Sequence, residues 1–241
     1  MRVALAVVML AACQAEAPDD YPVGVGSGGP GGNGSGNKDA ATPDDDGGSG
    51  GQIIGRVCVL SDLRVLDGCA ASGAGGIAVT LGGEATTTAD NGAFAIATPA
   101  GSNLVWHAGA PGYITSVVPF TTRYFIPILR DTDYFTLLQD NGMLLADTQG
   151  SLVARVVQND LPAADAIAAI DPVSQFAPRY DGTSAALWDQ DATGPRGLTW
   201  ITGIAAGSAS VRVTPSGSTT ATTTIQSIEP LAITFVTIEI P

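Results

Sequence analysis

Short apolar runs separated by turn-forming residues fill the chain from Gln52 to Phe120. Most of these runs alternate apolar and polar positions or are rich in β-branched residues, which is typical of half-buried strands. Gly, Pro, Asn and Asp stand between the runs, as they do in tight turns. The predicted strands cover 52–60, 76–81, 84–89, 93–97, 103–109 and 112–120. Short strands at this spacing predict an all-β chain that begins with a small antiparallel β-sandwich.

The segment Asp90-Asn91-Gly92 is the clearest turn signal within this pattern. Its residues are compatible with a metal loop, the mouth of an active site or the bend of a hairpin. Asn and Gly tolerate positive φ, and Phe94 and Ile96 then alternate as core residues of a strand would. A similar strand follows Gly197 without a preceding Asp-Asn pair. We therefore predict a hairpin rather than a metal or catalytic loop.

Several motifs follow one another in a recognisable order along this region: a G-x-V strand, a second strand with Gly and Val, a T-x-D-x-G-x-F turn, a P-x-G turn and a G-Y pair. Their residues are Gly55, Val57, Gly76, Val79, Thr88, Asp90, Gly92, Phe94, Pro99, Gly101, Gly112 and Tyr113. This order resembles the carboxypeptidase regulatory-like domain, which implies a transthyretin-like sandwich of seven strands over 52–120. Ala89 and the Cys-containing loop depart from the family pattern. The motifs are structural and belong to the accessory module, so the resemblance implies a fold and no peptidase activity.

Residues 131–147 are predicted to form a helical connector. The segment from Thr132 to Asp140 has apolar residues at helical spacing, with Asp131 or Thr132 as the N-cap and Gly142 as the stop. Three apolar residues are expected to pack this helix against its neighbours: Tyr134, Phe135 and Leu138.

The sequence after the connector resembles a weaker second copy of the first domain. Gly150–Val157 is similar in character to 52–59, and Gly197 and Gly207 follow at nearly the spacing of Gly92 and Gly101. A closing strand is predicted to supply inner apolar positions at Ile233, Phe235, Ile238 and Ile240. Two tandem sandwiches of transthyretin-like or immunoglobulin-like type are therefore predicted, over 52–130 and 148–241.

The N-terminus has the composition of an export signal. Arg2 precedes an apolar stretch, Val3–Leu10, that is too short to span a bilayer. The sequence from Leu10 to Cys13 resembles the lipobox of bacterial lipoproteins, which implies that residues 1–12 are removed and that Cys13 is lipidated. Gln14 is not the Asp that retains some lipoproteins in the inner membrane, so an outer-membrane anchor is expected. The alternative is an ordinary signal peptide with a coincidental Cys.

Residues 13–51 are predicted to be a disordered tether. They are nearly all Gly, Ser, Asp, Pro and Asn and have no hydrophobic period. Such a segment cannot bury enough apolar area to offset its ordering entropy. The acidic run at 44–46 invites a calcium interpretation, but ligands on a flexible coil are not preorganised, so a solvated linker is preferred.

Cys58 and Cys69 remain as a pair if Cys13 is lipidated, because the chain has three cysteines. A disulfide between them is predicted for an exported protein, and closing the short loop contributes about 2–3 kcal/mol on the chain-entropy model. Two buried thiols or a metal site are the alternatives, although no further Cys or His stands nearby to complete a metal site.

Charge and motifs favour a protein that is not an enzyme and that binds no cofactor, metal or nucleic acid. The net charge is −13, which disfavours a nucleic-acid surface. His107 is the only histidine, and neither G-x-S-x-G nor H-E-x-x-H occurs. Asp189 and Asp191 begin like a calcium loop, but Trp200 stands where the bidentate Glu would be, so a polar loop is preferred.

Trp188, Tyr180 and Trp200 are the candidate ligand-binding residues, because exposed aromatic rings stack on sugars. The alternative is that these rings fill the core. The leading hypothesis is a non-enzymatic, lipid-anchored cell-envelope protein whose sandwiches bind or scaffold a protein or polysaccharide, for example by β-strand addition. A carbohydrate-binding surface lipoprotein and an envelope enzyme of unknown reaction are the alternatives.

Overall fold

The structure, a computed structural model, describes residues 51–70, 74–120, 125–182 and 188–241. These residues form β-strands and a single α-helix, which confirms the all-β prediction. Within these ranges, no helix is long and apolar enough to cross a membrane. The predicted signal peptide, Cys13 and the predicted tether up to residue 50 lie outside the described residues.

Seven strands make up the first half of the folded region. They are β1 (Gln52–Leu60), β2 (Ala78–Leu81), β3 (Glu84–Thr87), β4 (Ala93–Ala97), β5 (Val105–Gly109), β6 (Tyr113–Pro119) and β7 (Phe125–Arg130). β1 is antiparallel to β4 on one side and parallel to β7 on the other. β2 lies between β3 and β5, and β6 pairs with both β5 and β7. The sequence pattern predicts all of these strands except β7.

The chain bends at Asp90-Asn91-Gly92, as predicted, but the bend does not close a hairpin. Gly92 has a φ of +83°, and its N–H donates to the carbonyl of Ala89 at 2.8 Å. β3, which precedes the bend, pairs with β2, whereas β4, which follows it, pairs with β1. The hairpin prediction is therefore wrong in this respect, because the turn carries the chain from one ladder to another. Phe94 and Ile96 are buried, as predicted.

Helix α1 (Asp131–Asp140) follows β7 directly and begins one residue before the predicted start. The Asp131 carboxylate accepts the N–H of Thr132 at 2.6 Å. Tyr134 and Leu138 are buried, as expected, whereas the side chain of Phe135 is 48% exposed. Phe135 follows Tyr134 directly, so the turn of the helix places it toward solvent, and the prediction that it helps to pack the helix against its neighbours is wrong.

Eight strands make up the second half. They are β8 (Gln149–Gln158), β9 (Leu161–Pro162), β10 (Ile167–Asp171), β11 (Arg179–Tyr180), β12 (Leu198–Ala205), β13 (Gly207–Thr214), β14 (Thr222–Ile228) and β15 (Ala232–Glu239). β8 is antiparallel to β12 and parallel to β15, and β13 lies between β10 and β14. This arrangement matches the first half, where β1 lies between β4 and β7 and β5 lies between β2 and β6.

Thr88 and Thr193 close equivalent loops with the same side-chain hydrogen bonds. The Thr88 hydroxyl donates to a carbonyl of the loop before β2 and accepts the N–H of Ile77 at 2.9 Å. The Thr193 hydroxyl donates to a carbonyl of the loop before β10 and accepts the N–H of Ala166 at 2.9 Å. Both threonines are buried. In each half, therefore, a buried hydroxyl with both of its hydrogen-bonding roles filled fixes the loop that leads into β2 or β10.

Gly92 and Gly197 occupy equivalent and tightly enclosed positions. Their φ angles are +83° and +66°. A Cβ on Gly92 would lie 2.3 Å from the carbonyl oxygen of Val57, and a Cβ on Gly197 would lie 2.3 Å from that of Val156. The glycine carbonyls accept the N–H groups of the same two valines, at 2.8 Å and 2.7 Å. Backbone approaches this closely only where glycine stands at the turn.

Strand β15 joins the two halves of the fold. It runs parallel to β8 on one side and parallel to β6 on the other, within a continuous sheet. Together with the parallel pair of β1 and β7, these pairings correct the prediction of purely antiparallel sandwiches. Parallel strands bury consecutive side chains, so they lack the alternation on which the antiparallel prediction depends.

Three apolar clusters form the core, and one of them is shared by both halves. The shared cluster contains Cys58 from β1, Tyr134 from α1, Val153 from β8, Trp200 from β12 and Phe235 from β15. The other two clusters lie within the first and second halves. The described residues belong to one compact unit. A division into two tandem sandwiches at 130 and 148 stays a prediction.

Candidate functional site: an arginine-lined cavity

The three aromatic residues predicted to bind a ligand are buried. Trp188 is 3% exposed, Tyr180 4% and Trp200 0%. The rings of Trp188 and Trp200 pack with centroids 5.5 Å apart in the shared cluster, and the Tyr180 hydroxyl accepts the N–H of Ala168 at 2.9 Å. Sugar stacking requires an exposed ring face, so the prediction of a carbohydrate surface at these residues is wrong. The rings are core residues because they fill the space between the sheets.

His107 pairs with a carboxylate from the other half of the fold. Its Nε2 lies 2.6 Å from Oε1 of Glu229, and both side chains are more than one third exposed. His107 is on β5, and Glu229 is in the turn between β14 and β15. Within the described part of the chain, Glu229 is the only side-chain hydrogen-bond partner of His107. The pair therefore links β5 to the turn between β14 and β15 at the surface, and among the described residues no nucleophile is bonded to His107 as a hydrolase triad requires.

Asp189 and Asp191 are exposed on the loop before β12. Among the described residues, no group of three or more His, Cys, Asp or Glu side chains converges in a way that could hold a metal ion. The buried carboxylate nearby is Asp181, which sequence reasoning missed. It accepts the backbone N–H groups of Gly194, Arg196 and Leu198 at 2.9, 2.9 and 2.8 Å. Asp181 thus fixes the turn that carries Arg196.

The loop after β1 is closed by the predicted disulfide between Cys58 and Cys69. Within this loop, the buried Arg64 side chain forms a two-pronged pair with Asp62, with Nη2–Oδ2 at 2.6 Å and Nε–Oδ1 at 3.0 Å. Burial raises the pKa of Asp62, but hydrogen bonds and charge from Arg64, together with the charge of Arg196, outweigh burial and lower it. The disulfide loop therefore presents a guanidinium group whose charge is already balanced by a neighbouring carboxylate.

Three arginines from distant parts of the sequence line one cavity of about 210 Å³. Arg64 comes from the disulfide loop, Arg155 from β8, and Arg196 from the turn before β12. The cavity wall also includes the exposed carboxylate of Asp67. The chain has ten Lys and Arg residues against 23 Asp and Glu residues, so three guanidinium groups around one small cavity form a local excess of positive charge.

Arg155 and Arg196 form no ion pair with a carboxylate within the described ranges, unlike Arg64. Both are half-buried at the cavity. The bond from Arg196 to Asp181 involves the backbone N–H, which leaves the guanidinium group for other partners. Guanidinium groups bind carboxylate, sulfate and phosphate through parallel N–H donors. The cavity thus has the chemistry of a receptor for an oxyanion.

A second cavity of about 450 Å³ adjoins the first. The two share Leu66, Asp67 and Arg155 as lining residues. The wall of the second cavity is mixed: Phe125 and Phe235 supply apolar surface, and hydroxyl and amide groups from β14 and β15 supply polar atoms. The two cavities therefore adjoin at the three residues that they share, and Arg64 and Arg196 line only the smaller one.

Sequence reasoning missed this site because its arginines belong to no motif. A signal existed in the comparison of the two halves. Arg56 and Arg155 occupy equivalent positions in the two halves. Arg56 lies opposite Ala93 on β4, and Arg155 lies opposite Leu198 on β12. Arg56 donates its Nε–H to the carbonyl of Asn91, at 3.0 Å, in the turn before Gly92. In the second half, the residue before the matching glycine is Arg196, so a second guanidinium group replaces an amide at the turn.

Comparison of this chain with protein-family models and with curated proteins found no match.

Proposed function

We propose that this protein is a lipid-anchored protein of the bacterial cell envelope whose β-sandwich domains act as a non-enzymatic binding or scaffolding module. The observation that carries the proposal is the disulfide between Cys58 and Cys69. Disulfides persist in exported proteins, and this one accounts for two of the three cysteines. Cys13, which follows a short apolar signal and two alanines, is then the cysteine available for lipid attachment.

The folded part consists, in this proposal, of two repeats related to the carboxypeptidase regulatory-like domain. The matching hydrogen bonds of Thr88 and Thr193 support a duplication, as do the enclosed glycines Gly92 and Gly197. The shared apolar cluster packs the two repeats together within one compact unit. A compact unit on a long polar tether suits a receptor or scaffold, because acyl chains anchor it while the tether gives it reach.

The arginine-lined cavity is the binding surface that we favour over the aromatic residues. Its support is that arginines from three separate segments line one concave surface. We also propose that the protein is anchored in the outer membrane and that it catalyses no reaction.

Metabolic labelling with a radioactive or alkynyl fatty acid tests the anchor. The wild type is expected to be labelled and to sediment with outer membranes, and Cys13→Ser is expected to be unlabelled and released. Cys69→Ser is the matched control, because it removes a cysteine outside the signal and should keep the label. Equal labelling of wild type and Cys13→Ser would refute the proposal.

A further inference from the structure

We propose that the arginine-lined cavity binds the oxyanion group of a small molecule (a carboxylate, sulfate or phosphate) and that the adjoining cavity receives the apolar part of the same molecule. This inference deepens the proposed binding function and rests on it. The guanidinium groups of Arg155 and Arg196 supply the positive charge for recognition, and Arg64, which is paired with Asp62, completes the wall.

The charge balance of the site favours an anion. Asp62 neutralises Arg64 through two hydrogen bonds, while Arg155 and Arg196 have no such carboxylate partner in the described part of the chain. The charge of Arg196 acts on Asp62, which already pairs with Arg64, and no carboxylate pairs with Arg155 among the described residues. A half-buried guanidinium group without its own paired carboxylate is costly, because its charge has lost part of its hydration. Asp67 is the one carboxylate in the cavity wall, and it is exposed. An incoming oxyanion restores the balance.

The comparison of the two halves shows that the pairing of Arg155 with Arg196 is particular to this site. In the first half, the equivalent Arg56 is exposed and satisfies its Nε–H on the carbonyl of Asn91. Arg155 makes no side-chain hydrogen bond of this kind within the described residues, and a second arginine stands at the turn. The two halves therefore share a backbone frame at this register, and the cavity brings Arg155 and Arg196 of the second half beside Arg64 of the first.

The adjoining cavity determines what the anion is attached to. At about 450 Å³ it is larger than the charged cavity, and Phe125 and Phe235 form part of its wall. Burying a methylene group contributes about 0.8 kcal/mol. A carboxylate that carries a short alkyl chain should therefore bind more tightly than acetate.

The test is a calorimetric titration of the full chain carrying Cys13→Ser, so that no acyl chain competes for the apolar cavity. The probes are acetate, sulfate, phosphate, hexanoate and the uncharged hexanol. We expect millimolar or tighter binding of at least one inorganic anion or of hexanoate, at least tenfold tighter binding of hexanoate than of acetate, and weaker binding as salt is raised. Tighter binding of sulfate or phosphate than of the carboxylates would identify the anion. It would support the claim that the arginine-lined cavity binds an oxyanion.

Matched variants locate the binding. Arg155→Gln and Arg196→Gln are each expected to weaken anion binding at least tenfold, because each removes a charge-assisted contact. Arg56→Gln, at the equivalent register of the first half, should bind as the parent does. If Arg155→Gln fails to fold, judged by circular dichroism, Arg196→Gln decides the test, because its structural bond to Asp181 uses the backbone.

Three results would overturn the proposal: equal affinity for hexanol and hexanoate, unchanged affinity in both pocket variants, or no saturation by any anion up to about 10 mM. The parent of these titrations already lacks the anchor, so failure here leaves the fatty-acid labelling result untouched. Failure of the labelling would in turn leave the titration valid.

Discussion

Replacing Gly92 or Gly197 by alanine is expected to destabilise the protein more than the same change at other glycines with positive φ. Both residues bend the chain against a backbone carbonyl, and a Cβ would lie 2.3 Å from that oxygen at either site. Real Cβ atoms do not approach backbone this closely, so the turn or the neighbouring strand must shift. The shift would break the hydrogen bond from Val57 or Val156 to the glycine carbonyl.

The magnitude has two parts that the chain allows to be separated. An alanine at positive φ costs about 1–2 kcal/mol. Gly76 isolates this part, because its φ is +75° and a Cβ would meet nothing within 4 Å. Overpacking adds about 1–3 kcal/mol at Gly92 and Gly197. We therefore expect a loss of about 2–5 kcal/mol in the free energy of unfolding for Gly92→Ala or Gly197→Ala, against about 1–2 kcal/mol for Gly76→Ala.

Urea unfolding followed by tryptophan fluorescence measures these losses. The extra loss at Gly92 or Gly197, compared with Gly76→Ala, shifts the urea midpoint of unfolding by roughly 0.5–1 M relative to that control. Gly217→Ala is the control for the second half, because its φ is +71° and it also has open space. One transition is expected, since both halves contribute to the shared cluster.

Equal losses in Gly92→Ala and Gly76→Ala would refute the role of close backbone approach. A large loss at Gly92 and none at Gly197 would contradict the equivalence of the two turns. Two separate transitions in the wild type would contradict the shared core.

Two further predictions concern the loop and the shared core. Replacing Cys58 and Cys69 together by alanine should cost about 3 kcal/mol, since the bridge closes a loop between residues 11 apart; a variant within 0.5 kcal/mol of the wild type in urea, or free thiols at these positions by mass spectrometry, would contradict this. Burial raises the pKa of Tyr134 from 10.0 to about 12. As pH rises, the phenol therefore loses its proton in the unfolded chain before it does so in the folded protein. The free energy of unfolding should fall between pH 10 and pH 12, by up to about 3 kcal/mol. Tyr134→Phe should show a smaller alkaline loss than the wild type in unfolding measured at pH 9 and pH 11, and an identical loss would count against the assignment.

Much of the fold was predictable from two local signals. Alternation of apolar and polar residues indicates a strand that is buried on one face, and turn-forming residues indicate where such a strand ends. β4 shows this alternation over its whole length, and β1 shows it over its first residues. The helical spacing and the stop of α1 were visible in the sequence, but the N-cap prediction of Asp131 or Thr132 is wrong, because the N-cap is Arg130. β7 was missed because four of its six residues are buried in a row and Pro127 interrupts the pattern. The parallel placement of β15 had no local signal, since pairing partners far away in the chain decide it.

The candidate site was not predictable from motifs. Arg64, Arg155 and Arg196 meet only because the disulfide loop packs beside β8 and the turn before β12. The tryptophans were predicted to form a ligand-binding surface, but Trp188 and Trp200 are buried in the shared apolar cluster. Residue type alone does not distinguish a ring that recognises a ligand from one that fills space between sheets.

The position of β15 between β6 and β8 also has a consequence for how the chain reaches its native state. Ala232 lies opposite Thr115, roughly 120 residues earlier in the chain, and contacts of such separation slow folding. Until residues 232–239 arrive, the backbone N–H and C=O groups of β6 at 115–117 have no strand on that side, and an open sheet edge is a template for association between chains. Residues 232–239 are synthesised after β6, so β6 has to wait for the last strand of the sheet. The strand that completes the sheet is thus also the one that closes this edge to other copies of the chain.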